Sequence, residues 1–102
     1  MDVKTGQNLV PIHPGEILRD LYLEPLEMSA GALARKINVP RTRIERIVAE
    51  KVGITSDTAL RLSRYFGTTP EFWMNLQTSY DLKIDAAAKR DELAAIPSRD
   101  AA

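Results

Sequence analysis

No stretch of this chain restricts its fold more than Ser29 to Lys51, SAGALARKINVPRTRIERIVAEK. Two short helical patterns meet there at residues that favour a turn. Ser29 suits an N-cap, because its hydroxyl accepts a bond from an otherwise unpaired amide of the first turn. Leu33, Ala34 and Ile37 make one apolar face at helical spacing. Asn38 falls where the chain must reverse, and asparagine tolerates the left-handed conformation. Val39 plugs the turn with an apolar side chain. Pro40 has the φ of a first helical residue and lacks an amide that would go unpaired at that position. Ile44, Ile47 and Val48 then form an inward stripe, and Arg41, Thr42 and Arg46 lie on the other side.

This is what a helix-turn-helix requires. Ala34 is small where the two helices cross, and Val39 and Ile44 anchor the turn. Long hydrogen-bond donors sit at the N-terminal end of the second helix, the end that enters the major groove in this motif. Between Arg35 and Lys51 the basic residues Arg35, Lys36, Arg41, Arg43, Arg46 and Lys51 face only Glu45 and Glu50. The whole chain is neutral, with 14 Lys and Arg against 14 Asp and Glu. The positive excess is therefore local, which fits one basic face and argues against a protein that coats nucleic acid indiscriminately.

A length of 102 residues allows one domain with a modest core. The absence of cysteine removes disulfides and thiolate metal sites and is compatible with the cytoplasm, the location expected. No apolar run approaches the ~18 residues of a membrane span. The opening segment MDVKTGQNLVPIHPGE has no apolar region behind a basic one, so no signal peptide is expected. His13 and Glu16 have a spacing that could serve a metal or an acid–base pair. With one histidine in the chain and no further ligand cluster, a role at a helix start is the expectation. No metal, cofactor, catalytic residue or small-molecule substrate is expected.

Residues 1–10 carry little pattern and read as a loose arm. Pro14 and Glu16 open a helix that carries Ile17, Leu18, Leu21 and Tyr22 and stops at Glu24-Pro25, since the residue before proline is pushed out of the α region. Leu26 and Met28 should pack under the loop to Ser29. Beyond the central pair, Ser56-Asp57-Thr58 caps a helix whose buried side is Ala59, Leu60, Leu62 and Phe66, with Gly67 closing it. Thr69-Pro70-Glu71 starts the next, with Phe72, Trp73, Leu76, Tyr80 and Leu82 as a broad apolar surface. Residues 83–95 are alanine-rich with mixed charge. They read as an extension of that helix or a segment that orders on a partner, followed by a tail.

Three blocks resemble the HigA-type antitoxins, within the XRE/Cro-like phage-repressor group of transcription regulators. They are PIHPGEIL at Pro11–Leu18, the helix-turn-helix, and GITSDTALRLSRYFGTTPEFWMNLQTSYDL at Gly53–Leu82. The resemblance implies an all-α, five-helix lambda-repressor-like domain over residues 11–82, with residues 83–102 as a C-terminal helix extension and tail. It further implies a homodimer, a palindromic operator in the module's own promoter, and neutralisation of a HigB-like (RelE-like) mRNA-cleaving toxin. Asn38 and Pro40 stand where many such repressors have glycine and a hydroxyl residue.

Arg41, Thr42 and Arg46 are the expected base readers, since arginine bonds guanine bidentately and the threonine methyl can meet thymine. Arg43, Ser29, Lys51 and the loop 53–55 are expected at phosphates, with Pro40 at the helix start. Phe72, Trp73, Leu76 and Tyr80 are the dimer-interface candidates, although core packing is the favoured role for Phe72 and Trp73. Glu16, Asp20, Glu24 and Glu27 give the first helix an acidic face that suits either a basic toxin or solvent. The competing readings are a stand-alone helix-turn-helix repressor without a toxin, and a protein-interaction module that has lost DNA binding.

Overall fold

The computed structural model describes residues 10–101, and nearly all of the expected N-terminal arm lies outside them. The described chain is all-helical. Helix α1 begins as Pro14–Ile17 and continues as a π-helical stretch, Leu18–Leu23. Then come α2 (Ala30–Lys36), α3 (Arg41–Val48), α4 (Ser56–Phe66), α5 (Pro70–Ala88), the short α6 (Arg90–Ala94) and a 3-10 turn, Arg99–Ala101. The five helices of the expected fold are α1 to α5. No helix among the described residues is long and apolar enough to cross a membrane.

The π stretch corrects two expectations about α1. Glu24 keeps helical angles (φ −62°, ψ −49°) despite Pro25, and the helix closes through a turn ending at Glu27, whose φ is 52°. Pro25 has no amide to donate, and its ring crowds the carbonyl four residues back. The chain answers with wider turns, in which the Glu24 amide donates to Arg19 O at 3.0 Å and the Met28 amide to Leu23 O at 2.9 Å. The wider turn also rotates the faces. Leu18 and Leu23 are buried, while Leu21 (63% exposed) and Leu26 (57%) point to solvent.

Leu18, Leu33, Ala34, Ile44, Ile47, Ala59, Leu62 and Trp73 form the centre of the core. Trp73 is completely buried, and its indole N–H donates to Thr68 Oγ1 at 2.8 Å, as a buried indole requires. Tyr22 and Phe72 stack around it with ring centroids 5.1 and 5.0 Å away. A side chain enclosed by its own chain offers no surface to a second copy, so Trp73 drops out of the dimer-interface candidates. Phe72, Leu76 and Tyr80 are half-buried.

Two further boundaries moved. Pro40 is the N-cap of α3, with ψ 143°, rather than its first helical residue. Thr55 caps α4 by accepting from the Thr58 amide at 3.4 Å, one residue before the expected Ser56. Leu60 is 57% exposed, and Thr58 and Ser63 take the inner face of α4 instead. Beyond residue 82, α5 continues without a break to Ala88, as an extension of the same helix. Lys83 to Ala88 contains neither glycine nor proline and is rich in good helix formers, so the helix runs on. From Asp81 to Ile96 every residue except Lys83 is exposed, so this part of the chain has no face in the core.

Candidate nucleic-acid interface

Ser29 caps α2 as expected, its hydroxyl oxygen accepting from the Ala32 amide at 3.0 Å. Asn38 adopts the left-handed conformation (φ 58°), and the Val39 amide donates back to Ala34 O at 3.0 Å, closing α2 in a Schellman turn. Ala34 is buried, and Val39 packs against the core from the turn. Helix α3 then buries Ile44 and Ile47 and leaves Arg41, Thr42, Glu45 and Arg46 exposed.

These side chains stand in different electrostatic settings. Arg41 Nε lies 3.2 Å from Glu45 Oε2, one turn further along the helix. The Arg41 stem crosses the start of α2, where a Cβ on Gly31 would lie 3.1 Å from Arg41 Cδ. The N-termini of α2 and α3 thus meet at one place. Arg46 and Lys51 are exposed and have no ion-pair partner among the described residues. Arg43, expected at a phosphate, is engaged within the protein, with Nη1 donating to Asp57 Oδ2 at 2.6 Å.

Asp57 is a residue whose role the sequence reading missed. It accepts from Arg43 on α3 and, at 3.0 Å, from Arg61 Nε on its own helix. Arg61 Nη1 donates onward to Ile37 O at 2.9 Å and Asn38 O at 3.4 Å, the carbonyls of the α2–α3 turn. The bond from Arg43, and then that from Arg61, hold the Asp57 carboxyl below its ordinary value of 3.8. The only sequence signal was the i, i+4 spacing of Asp57 and Arg61.

The rear of α3 is braced as well. Arg19 Nη1 donates to Val48 O at 2.7 Å and to Glu50 Oε2 at 3.3 Å. The Gly15 amide donates to His13 Nδ1 at 2.9 Å, so His13 caps α1, and its ring meets Tyr80 edge-on at 4.9 Å. A Cβ on Gly15 would lie 1.8 Å from Ile47 O, so only glycine lets α1 approach α3 this closely. Beyond α3, the Ile54 amide donates to Gln77 Oε1 at 2.6 Å, which pins the 53–55 loop to α5. Among the described residues, no three His, Cys, Asp or Glu side chains gather in a metal-binding group.

The helix-turn-helix family model matches residues 19–73, from the π stretch of α1 to the first turn of α5. The virulence-associated protein I of Dichelobacter nodosus is 52% identical over 98 residues, covering 95% of this chain and 91% of that protein. Pseudomonas aeruginosa antitoxin HigA, solved with the higBA promoter, superposes with a TM-score of 0.86 at 45% identity, covering 88% of this chain and 99% of that one. Antitoxin GraA in complex with its operator gives a TM-score of 0.84 at 42% identity over 99% and 100% of the two chains. Other relatives are HTH-type transcriptional regulators of Haemophilus influenzae and Escherichia coli and antitoxin HigA-1 of Vibrio cholerae. The chain belongs to the helix-turn-helix family, in the group whose solved members include the HigA antitoxins.

Proposed function

We propose that this chain is a DNA-binding antitoxin that represses its own promoter as a dimer and neutralises a small RelE-like toxin, a HigB-like mRNA-cleaving ribonuclease. The observation that carries the DNA part is the split of α3. Ile44 and Ile47 are buried, while Arg41, Thr42 and Arg46 stand exposed on its outer side, in a fold whose relatives include antitoxins solved on promoter and operator DNA. Arg46 is the principal base reader, because no carboxylate among the described residues holds it. Thr42 supports it from one turn earlier, and Arg41 joins them while leaning on Glu45. Ser29, Lys51 and the loop 53–55 contact phosphates.

A single headpiece this small makes few contacts. Two copies double them and set the half-sites about one helical turn, ~34 Å, apart on a palindromic operator. The second half of α5 supplies the dimer surface. Ile84, 40% exposed, continues the i, i+4 face of the half-buried Leu76 and Tyr80, and one chain alone leaves this apolar surface in water.

The toxin meets α1. Glu24 and Glu27, with Asp20 paired to Arg19, are exposed there beside the solvent-facing Leu21 and Leu26. An acidic rim around apolar side chains complements a basic RNA-binding protein. The test is co-expression of the tagged chain with the adjacent small reading frame. A stoichiometric second protein that alone arrests growth supports the antitoxin reading. A chain that shifts its own upstream DNA but captures nothing is a free-standing repressor.

A further inference from the structure

We propose that Asp57 is a positioning residue for operator recognition, orienting Arg43 of α3 and locking the recognition helix to the turn that precedes it. The assignment rests on α3 being the DNA-reading helix. One carboxylate oxygen, Oδ2, accepts from both Arg43 Nη1 at 2.6 Å and Arg61 Nε at 3.0 Å. Arg61 reaches back to Ile37 O and Asn38 O. Three elements thus meet at one oxygen: the turn, α3 and α4. A recognition helix docks with its N-terminal residues towards the bases, so its rotation about its own axis decides which bases they meet. The link through Arg61 restrains that rotation from the turn, and the link to Arg43 restrains it from within α3.

Asp57 also changes what Arg43 can do. A free arginine on a DNA-facing surface attracts every phosphate alike, and each such contact adds about 0.9 to the slope of log K against log salt. Arg43 bonded to Asp57 is a partly neutralised fork aimed in one direction. Its remaining N–H groups make a contact fixed in space rather than a mobile counter-charge. The carboxylate therefore trades indiscriminate attraction for selectivity.

The experiment compares two duplexes: the palindrome immediately upstream of the gene, and a scrambled duplex of the same composition. Wild type, D57N, R43A and R43A/D57N are titrated on both across a range of salt. In D57N the ratio of specific to scrambled affinity should fall about tenfold, within the range of one base contact. The salt slope on the scrambled duplex should steepen by about one. In the R43A background, D57N should leave the salt slope unchanged and lower the ratio by less than D57N does alone, since only the Arg61 link remains to be lost. R43K keeps the charge without the planar fork, so it should lose selectivity while keeping its salt slope.

Unchanged ratio and slope in D57N overturn the proposal. So does an equal D57N effect with and without Arg43, which reports only one fewer negative charge near DNA. Parallel weakening on both duplexes, with a lowered melting temperature, assigns Asp57 a merely structural role. A wild-type chain that does not prefer its upstream palindrome removes the DNA reading itself, and this assignment with it.

Discussion

Replacing Gly15 with alanine tests how tightly the start of α1 holds the recognition helix. The added Cβ would sit 1.8 Å from Ile47 O and 2.8 Å from Ile47 C. Both are backbone atoms in the last turn of α3 and cannot swing aside as a side chain would. Cβ contacts below 3.0 Å are essentially never seen, so α1 and α3 must part by more than an ångström. Overfilling a packed core costs about 1–3 kcal/mol, and a clash with backbone lies at the upper end. With about 4–8 °C per kcal/mol for a domain of this size, G15A should melt roughly 10–20 °C below wild type. Trp73, the single tryptophan and fully buried, reports unfolding by fluorescence alongside helical dichroism. At a temperature where the variant is still folded, affinity for the upstream palindrome should also drop, because α3 has moved against the rest of the head. A variant melting within about 3 °C of wild type would refute the reasoning that only glycine permits this approach.

Arg46→Ala should cost about 1–3 kcal/mol on the operator and relax one base position, whereas Lys51→Ala should weaken all sequences alike and lower the salt slope by about one. Competition titrations with single-base operator variants separate the two. Asp57 is ionised more readily in the folded chain than in the unfolded one, so its contribution is complete above the ordinary value of 3.8 and fades as pH falls below it. Stability curves of wild type and D57N, followed by urea melts, should run parallel above about pH 5 and converge towards pH 3. Glu27 is a non-glycine residue at φ 52°, so Glu27→Gly should raise stability by about 0.5–1 kcal/mol in the same melts.

The helix-turn-helix was legible because every local signal in it agreed. Ser29 caps, Asn38 reverses the chain, and Ile44 and Ile47 face inward, each for reasons contained within a few residues. The errors arose where a local rule met a longer-range one. Leu21 has the right helical spacing, but Pro25 forces a wider turn that moves the buried position to Leu23. Hydrophobicity alone puts Leu60 inside, while the inner face of α4 goes to Thr58, Ala59, Leu62 and Ser63. The candidate site divided in the same way. Exposure of Arg41, Thr42 and Arg46 follows from periodicity, but the capture of Arg43 by Asp57 joins residues 14 apart on different helices. The bond from Ile54 to Gln77 spans 23 positions. No spacing rule reaches that far without the tertiary fold.

Helix α5 has two halves with different support. Up to Tyr80 it is held by Trp73 and its neighbours in the core, and beyond Asp81 it stands in solvent. An unsupported helical segment shorter than about 12–15 residues is marginal in water. Within a lone chain, residues 81–94 should therefore open and close on their own without disturbing the DNA-reading head, with fast amide exchange there and slow exchange around Trp73. Opening there costs little, whereas opening the head costs the whole stability of the fold. The molecule therefore has two lifetimes against a protease: a short one for its outer helix and a long one for its core. Anything that covers the outer helix lengthens the first towards the second, so the abundance of the protein becomes a measure of how much of it is in company.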